Sequence, residues 1–185
     1  MGVEIVTAAA FLAGRTPVAV EDEVWGTPER PIPLRLSWYL TPAAPPHALV
    51  TSVRAIMLHA DAVLVLREPD GRPYIIPGGR CEAGESHEET VRREVLEEAG
   101  WTLGPLAPLG CIHLHNLGPE PPGSPYPYPD VFQTIHRAEA AVEHPEAVIF
   151  DQWVASSAFV PLAEALLLPL RPVERVLLVA ALAAR

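Results

Sequence analysis

The sequence contains no lysine: all 13 of its basic residues, among 185, are arginines. This absence excludes Schiff-base chemistry and any phosphate-binding loop that depends on a lysine. Basic residues are also few against 23 acidic ones, which gives a formal net charge of −10. A chain this acidic does not rely on broad electrostatic attraction, so we expect neither nucleic acid nor an anionic membrane as a partner.

Cysteines and long apolar runs are scarce as well. Cys81 and Cys111 are too few for a disulfide framework. The longest C-terminal apolar run, 176–184, is too short to span a bilayer, and Glu4 stands where a signal peptide would carry positive charge. We therefore expect a soluble, cytoplasmic protein with one globular domain, because an apolar fraction of 49% is too high for a disordered chain.

Proline, by contrast, is abundant, with 22 residues, and many of them lie in the first 50. Alternating apolar residues from Ile32 to Leu40 indicate a strand with one buried face. We interpret 1–50 as an N-terminal proline-rich extension or strand region and 51–185 as the main domain. We expect the extension to pack either on the core or on a partner subunit, and the second case would make the protein a homodimer. Alternatively, residues 1–50 are simply an N-terminal strand and loops of the same domain.

The segment 86–99 is predicted to form a helix that begins and ends at clear signals. Ser86 and Glu89 form a capping box, and Gly100 is a natural stop. Strand candidates come before it, separated by a Pro-Asp-Gly turn at 69–71, and after it, near 109–115 and 131–138.

Three carboxylates crowd one face of this predicted helix. Glu94, Glu97 and Glu98 stand at i, i+3 and i+4, so they repel one another unless a cation lies between them. Oxygen ligands of this kind suit Mg²⁺. Glu85 can reach the same region, and Arg93 can hold a carboxylate by a paired hydrogen bond. A glutamate-rich helix alone is more often a solvated face, so the wider pattern decides.

That wider pattern, 79–101, resembles the Nudix box, G-x5-E-x7-R-E-U-x-E-E-x-G-U with U apolar. Every specified position is filled, by Gly79, Glu85, Arg93, Glu94, Val95, Glu97, Glu98, Gly100 and Trp101. Such a match would arise by chance in a chain of this length about once in ten million. The resemblance implies the Nudix fold, an α/β/α sandwich with a mixed sheet.

The resemblance also implies a divalent-metal-dependent hydrolase of nucleoside diphosphate derivatives, using Mg²⁺ or Mn²⁺. By position, the predicted catalytic residues are Glu85, Arg93, Glu94, Glu97 and Glu98, and the predicted metal ligands are Glu94, Glu97, Glu98 and the carbonyl of Gly79. Glu85 supports the metal site and Arg93 orients Glu94. The general base varies in the family, and its later candidates here are Glu139, Glu143 and Glu146.

The substrate is left open by the resemblance. The leading substrate hypothesis is ADP-ribose, another nucleotide sugar or a dinucleotide. A nucleoside triphosphate is the alternative, as is a non-catalytic module that binds a nucleotide and regulates another protein. The proline-rich segment 118–130 presents Tyr126 and Tyr128, which could stack on a nucleobase, although a purely structural loop is as reasonable.

A second polar pattern falls on a predicted strand. Cys111, His113 and His115 alternate, so they share one face. A soft-metal site would need a fourth ligand, and none is close in sequence. Strand packing or substrate-side polarity is the favoured interpretation.

Overall fold

A mixed β-sheet forms the centre of the fold in a computed structural model, which describes residues 7–149 and 154–184. Its strands are β1 (Ala19–Thr27), β2 (Arg30–Leu40), β3 (Val50–His59), β4 (Ala62–Arg67), β5 (Pro73–Tyr74), β6 (Gly78–Arg80), β7 (Trp101–Leu103), β8 (Ala107–Asn116), β9 (Asp130–Glu143) and β10 (Ser156–Pro161). The helices are α1 (Ala8–Leu12), α2 (His87–Ala99), α3 (Leu162–Ala165) and α4 (Pro172–Ala183), with 3-10 turns at His47–Leu49 and Pro145–Ala147.

The main path of the sheet runs β1-β2-β8-β9-β3-β4-β10. β3 and β9 pair in parallel, whereas the neighbouring pairs on either side are antiparallel. The predicted mixed sheet is therefore confirmed. The hairpin β1–β2, which lies within the predicted extension 1–50, continues the sheet through β8, where Trp38 stands opposite Ile112.

Helices cover both faces of this sheet. On one face α4 buries Leu177 and Leu178 against strand residues such as Ile56. On the other face α1 and α2 pack on a second apolar cluster that includes Phe11, Val95 and Phe132. This arrangement confirms the predicted α/β/α sandwich.

Local signals fix α2 in its position. The Ser86 side chain accepts a hydrogen bond from the Glu89 amide, the Glu89 carboxylate accepts one from the Ser86 amide, and Gly100 ends the helix at φ 70°. Val91 and Val95, one turn apart, are fully buried, and each contributes about 1.5–2 kcal/mol of hydrophobic stabilisation. Because these valines face the sheet, the box glutamates lie on the remaining, partly exposed side of α2.

The C-terminal segment divides at its prolines, and α4 begins with Pro172 in the first turn, where no amide hydrogen is needed. Glu174 is buried in this turn and accepts hydrogen bonds from the amides of Ile75, at 3.0 Å, and Arg171, at 3.1 Å. α4 is thereby tied to the segment that leads into β6. Over the described ranges, no helix has the length and apolarity needed to cross a bilayer.

Candidate active site

Arg93 is the centre of the polar network on α2. Its Nε donates to Glu85 Oε1 at 2.7 Å and its Nη2 donates to Glu85 Oε2 at 3.1 Å, the paired geometry expected from the sequence. Glu85 also accepts from Thr90 Oγ1 and from the amide of Glu82, each at 3.0 Å. The hydrogen bonds from Arg93 are the largest cause that lowers the pKa of Glu85 to about 2. Glu85 is therefore ionised and fixed as a partner of Arg93.

The same guanidinium reaches the helix carboxylates. Arg93 Nη1 donates to Glu94 Oε1 at 2.9 Å and to Glu97 Oε2 at 3.2 Å. Burial raises the pKa of Glu94 above its ordinary value despite the contact with Arg93, and the charge of Glu97 adds to the rise. Glu94 is thus a carboxylate whose negative charge is not fully compensated, which favours the approach of a cation.

Glu98 and the two glycines of β6 bring the helix and the strand together. The Gly78 amide donates to Glu98 Oε2 at 2.9 Å. Gly78 adopts φ 131°, and a Cβ there would lie 2.2 Å from the Val53 carbonyl oxygen, so only glycine fits. A Cβ on Gly79 would lie 2.4 Å from the Glu94 carboxylate. Gly78 therefore lets β6 approach β3 closely, and Gly79 lets β6 approach the Glu94 side chain on α2.

The donor set of α2 suits a hard divalent cation. Glu94, Glu97 and Glu98 offer only oxygen atoms, and the single guanidinium of Arg93 leaves net negative charge on this face. In the described conformation these side chains are directed to Arg93 and to the Gly78 amide, so their oxygens do not converge on one point. The residues fit the predicted Mg²⁺ or Mn²⁺ in chemistry and charge, and their role as ligands stays a prediction.

Glu94 and Glu98 line a large cavity of about 1180 Å³ on the α4 side of the sheet. Its wall crosses β1, β2, β8, β9 and β3, and four strand spacings of about 4.8 Å give a length of about 19 Å. Typical small-molecule sites occupy about 300–1,000 Å³, so the cavity has room for a ligand with two bulky parts.

Arginines on the cavity wall were missed by the sequence-based interpretation. They are Arg54, Arg72, Arg80 and Arg171. Arg72 pairs with Glu68, and Arg171 pairs with Glu21 and Glu23. Their scattered positions give no motif, so only the fold could show that they meet in one cavity.

Arg54 and Arg80 differ from the other two in their partners. Arg54 Nε donates to Gln133 Oε1 at 2.7 Å, and Arg54 Nη1 donates to the carbonyls of Ile76 and Gly78. Arg80 is exposed, its guanidinium lies 5.5 Å from the centroid of the Tyr126 ring, and within the described ranges it has no carboxylate at ion-pair distance. The Arg80 guanidinium is therefore available to an anionic ligand in the cavity, whereas Arg54 is held by its three hydrogen bonds.

The two tyrosines singled out in the sequence lie on the same wall. Tyr126 and Tyr128 are partly exposed and line the large cavity, and Tyr128 Oη donates to the Gly118 carbonyl at 2.9 Å. The loop that carries them therefore faces the site of Glu94 and Glu98. Stacking of either ring on a nucleobase stays a prediction.

The three candidates for a general base lie elsewhere. Glu139 and Glu143 are on β9, opposite Leu58 and Trp101, and Glu146 lies in a 3-10 turn beyond that strand. None of them lines the cavity that Glu94 and Glu98 share. The structure does not bring these carboxylates together with the box glutamates.

The histidines of β8 meet an acid on the other side of the sheet. His113 Nε2 lies 2.7 Å and His115 Nδ1 lies 2.8 Å from the same oxygen of Asp130. Burial would raise the pKa of Asp130, but the hydrogen bonds from the two histidines bring it below its ordinary value. The third residue of the sequence pattern, Cys111, is a buried thiol whose pKa is raised to about 12 by burial.

Comparison with known proteins points to one family. A family model described as the NUDIX domain matches residues 48–180. A Bacillus subtilis (strain 168) protein named "Putative ADP-ribose pyrophosphatase YjhB" is 30% identical over 104 residues, which are 54% of this chain and 49% of that protein. A second protein of that organism, named "Putative 8-oxo-dGTP diphosphatase", is 34% identical over 55 residues, 30% of this chain and 37% of its own. The chain thus spans half or less of these relatives.

Solved structures share the fold at low identity. The NUDIX hydrolase from Nitrosomonas europaea has a TM-score of 0.55 at 21% identity and covers 73% of this chain and 90% of its own. The NUDIX domain of Shewanella oneidensis NrtR, solved with ADP ribose, has a TM-score of 0.56 at 19% identity and covers 74% and 88%.

Proposed function

The chain belongs to the Nudix family, and on that premise we propose that it hydrolyses the pyrophosphate linkage of a nucleoside diphosphate derivative with a divalent metal. The observation that carries the proposal is the wall shared by the box carboxylates Glu94 and Glu98 and by the arginines of a large cavity. A cation at the carboxylates and guanidinium groups beside them are what a diphosphate requires in a chain without lysine.

Glu94, Glu97, Glu98 and the Gly79 carbonyl would hold Mg²⁺ or Mn²⁺. When bound, the metal neutralises phosphate charge and lowers the pKa of water. Arg93 and Glu85 are positioning residues, because Arg93 binds Glu94 and Glu97 and is itself fixed by Glu85. Arg80 would meet a phosphate, since its guanidinium is exposed and has no carboxylate at ion-pair distance in the described part of the chain.

ADP-ribose, another nucleotide sugar or a dinucleotide is the leading substrate class. A cavity about 19 Å long, which crosses five strands, suits a nucleotide joined to a second moiety. The name of the relative YjhB supports the same class. Tyr126 and Tyr128, on the loop over the cavity, would stack on the base.

A nucleoside triphosphate is the second candidate, favoured by the name of the other Bacillus relative. A nucleoside triphosphate carries no second moiety beyond its phosphates, so much of the cavity wall from β1 to β8 would make no contact with it. The relative turnover of ADP-ribose and nucleoside triphosphates therefore decides between the two. Binding of either ligand without turnover would indicate the non-catalytic module instead.

The test uses Glu98→Gln in a panel of nucleotide substrates with Mg²⁺, with products separated by chromatography. The amide oxygen of the introduced glutamine can still accept from the Gly78 amide, so the fold should be kept. Loss of a metal ligand removes several kcal/mol of transition-state stabilisation, so kcat should fall about 1,000-fold.

Glu88→Gln is the matched control, because Glu88 lies on the same helix but is exposed and pairs with Arg92. Its kcat should stay within about twofold of the native value. If Glu98→Gln kept full activity, the assignment of the metal ligands would be wrong. If the native chain turned over no substrate while binding one, the hydrolase proposal would be wrong.

A further inference from the structure

The histidines of β8 and the first residue of β9 form a cluster that the proposed hydrolysis does not use. His113 and His115 stand two residues apart, so their side chains lie on one face of β8. Asp130 is the residue of β9 directly opposite His115. Over residues 7–149 and 154–184, these three form the one group of His, Cys, Asp or Glu whose ligand atoms all lie within 4.8 Å of one another.

Their spacing is close to that of a filled metal site. The two imidazole nitrogens lie 2.7 and 2.8 Å from one oxygen of Asp130. Ligands about 2.0–2.1 Å from a tetrahedral ion are about 3.3 Å apart, so each nitrogen needs to move only about half an ångström away from the Asp130 oxygen to admit one. The three ligand atoms all lie within 4.8 Å of one another. Two imidazoles and one carboxylate are also a donor set that transition metals favour and Mg²⁺ does not.

We propose that His113, His115 and Asp130 bind a divalent transition-metal ion such as Zn²⁺, at a site separate from the box glutamates. His113 is buried against the Phe132 ring, with 5.0 Å between ring centroids, on the face covered by α1. The alternating residues Ile112 and Leu114 point to the opposite face and line the large cavity. His113 and the strand residues that line the large cavity therefore lie on opposite faces of β8.

The place of Asp130 indicates what the ion does. Asp130 ends the proline-rich loop and lines a smaller cavity of about 250 Å³ together with Tyr128. Tyr128 also lines the large cavity, so one residue of the loop touches both. An ion that joins Asp130 to β8 fixes the end of the loop that carries the tyrosines. His115 is partly exposed, which leaves solvent access for the remaining ligand positions.

The experiment titrates Zn²⁺ into the full-length protein by calorimetry, in a large excess of Mg²⁺ that saturates the carboxylate site. We expect one Zn²⁺ per chain and, in X-ray absorption, scattering from two imidazoles. Loss of outer-shell partners alone weakens metal binding about 10–100-fold, so His115→Gln should weaken Zn²⁺ binding at least about 100-fold. Asp130→Asn should do the same.

His144→Gln is the matched control, since His144 pairs with Glu146 at 3.4 Å but belongs to no group of three ligands in the described ranges. It should bind Zn²⁺ as the native chain does. Unchanged affinity in a folded His115→Gln, verified by circular dichroism, would overturn the proposal. So would Zn²⁺ that shows no imidazole scattering or that is lost in Glu98→Gln. None of these three outcomes bears on hydrolysis with Mg²⁺ alone.

Discussion

The two polar clusters of this molecule balance charge in opposite ways. On α2 one guanidinium, that of Arg93, holds the carboxylates of Glu85, Glu94 and Glu97. Between β8 and β9 two imidazoles share one carboxylate. The first cluster has excess negative charge and offers only oxygen atoms as metal ligands. The second has one negative charge and offers two nitrogen atoms and one carboxylate as metal ligands.

This difference means that the two clusters should select different cations. Hard Mg²⁺ prefers carboxylate oxygens, and borderline ions such as Zn²⁺ prefer imidazole. The two clusters also share no residue, so damage to one should leave the other intact.

The largest effect is expected from Arg93→Met. Removal of the guanidinium leaves Glu85 and Glu94, whose side chains are four-fifths buried, without their partner. Breaking a buried ion pair costs about 3–5 kcal/mol, and the remaining exposure of this one reduces the expected loss to about 2–3 kcal/mol in the free energy of unfolding. Urea denaturation measures that loss, and kcat should fall with it.

Arg35→Met is the control for this change. Arg35 makes the same paired contact, with Asp22, but on the exposed hairpin where both side chains are half-exposed. Exposed pairs contribute about 0–1 kcal/mol, so stability should change little. Equal losses of unfolding free energy in Arg93→Met and Arg35→Met would mean that burial does not make the Arg93 pairs stronger than an exposed pair.

A smaller effect on stability, but a clear one on turnover, is expected from Gly79→Ala. The new Cβ would meet the end of the flexible Glu94 side chain, which can rotate away. The free energy of unfolding should fall by about 1 kcal/mol or less. Displacing a ligand by about 1 Å costs about 100-fold in rate, so kcat should fall by that factor while Zn²⁺ binding stays unchanged.

Gly84→Ala tests whether the loss is local to Glu94. Gly84 lies in the loop that follows β6, at φ 92°, and a Cβ there would meet no other atom within 4 Å, so alanine adds only backbone strain of about 1–2 kcal/mol. We expect lower stability with nearly native kcat. A fall of kcat as large as that of Gly79→Ala would contradict the steric explanation.

The α2 cluster could be predicted from sequence because its geometry is local. Residues at i, i+3 and i+4 share a helix face whatever the rest of the fold does. The capping signals at Ser86 and Gly100 placed the helix within one residue of its observed start, at His87. The fold class followed from the box, and the mixed sheet and its covering helices confirm it.

The second cluster and the cavity arginines could not be predicted in this way. Cys111, His113 and His115 indicated a shared face, but Asp130 reaches them only through the pairing of β8 with β9 across a long loop. Arg54 and Arg80 likewise come to line the same cavity as Glu94 and Glu98 through the pairing of β3 with β6. Strand register is a tertiary property, so no spacing in the sequence carries it.

A pH experiment on metal-free protein separates Glu85 from Glu94 within the first cluster. Hydrogen bonds from Arg93 hold the pKa of Glu85 at about 2, below its ordinary 4.5. Its carboxylate therefore stabilises the fold above pH 4.5, and this contribution is lost as the pH falls toward 2. The stability gap between native protein and Glu85→Gln, from urea denaturation, should shrink between pH 6 and pH 3.

Glu94→Gln should show the opposite sign. Burial raises the pKa of Glu94, so its ionised form costs stability above its ordinary pKa, and glutamine relieves that cost. Glu94→Gln should be more stable than the native protein at pH 6 and lose that advantage at low pH. Parallel trends in the two variants would mean that Arg93 compensates both carboxylates equally.

The smallest effect concerns one cysteine in each region. Cys81 lies in the box and is partly exposed, whereas Cys111 is buried on the face of β8 that carries His113. Burial raises the pKa of the Cys111 thiol from 9.0 to about 12, which reduces its thiolate fraction about 1,000-fold. A thiol reagent at pH 8 should therefore modify Cys81 alone in the native protein and both thiols in urea, and Cys81→Ser should abolish the native reaction. Rapid labelling of Cys111 in Cys81→Ser would show that the strand face opens to solvent. The Cys111 thiolate could then act as a metal ligand beside His113 and His115. The contrast between an all-oxygen site on α2 and a His–His–Asp site on β8 and β9 would no longer hold.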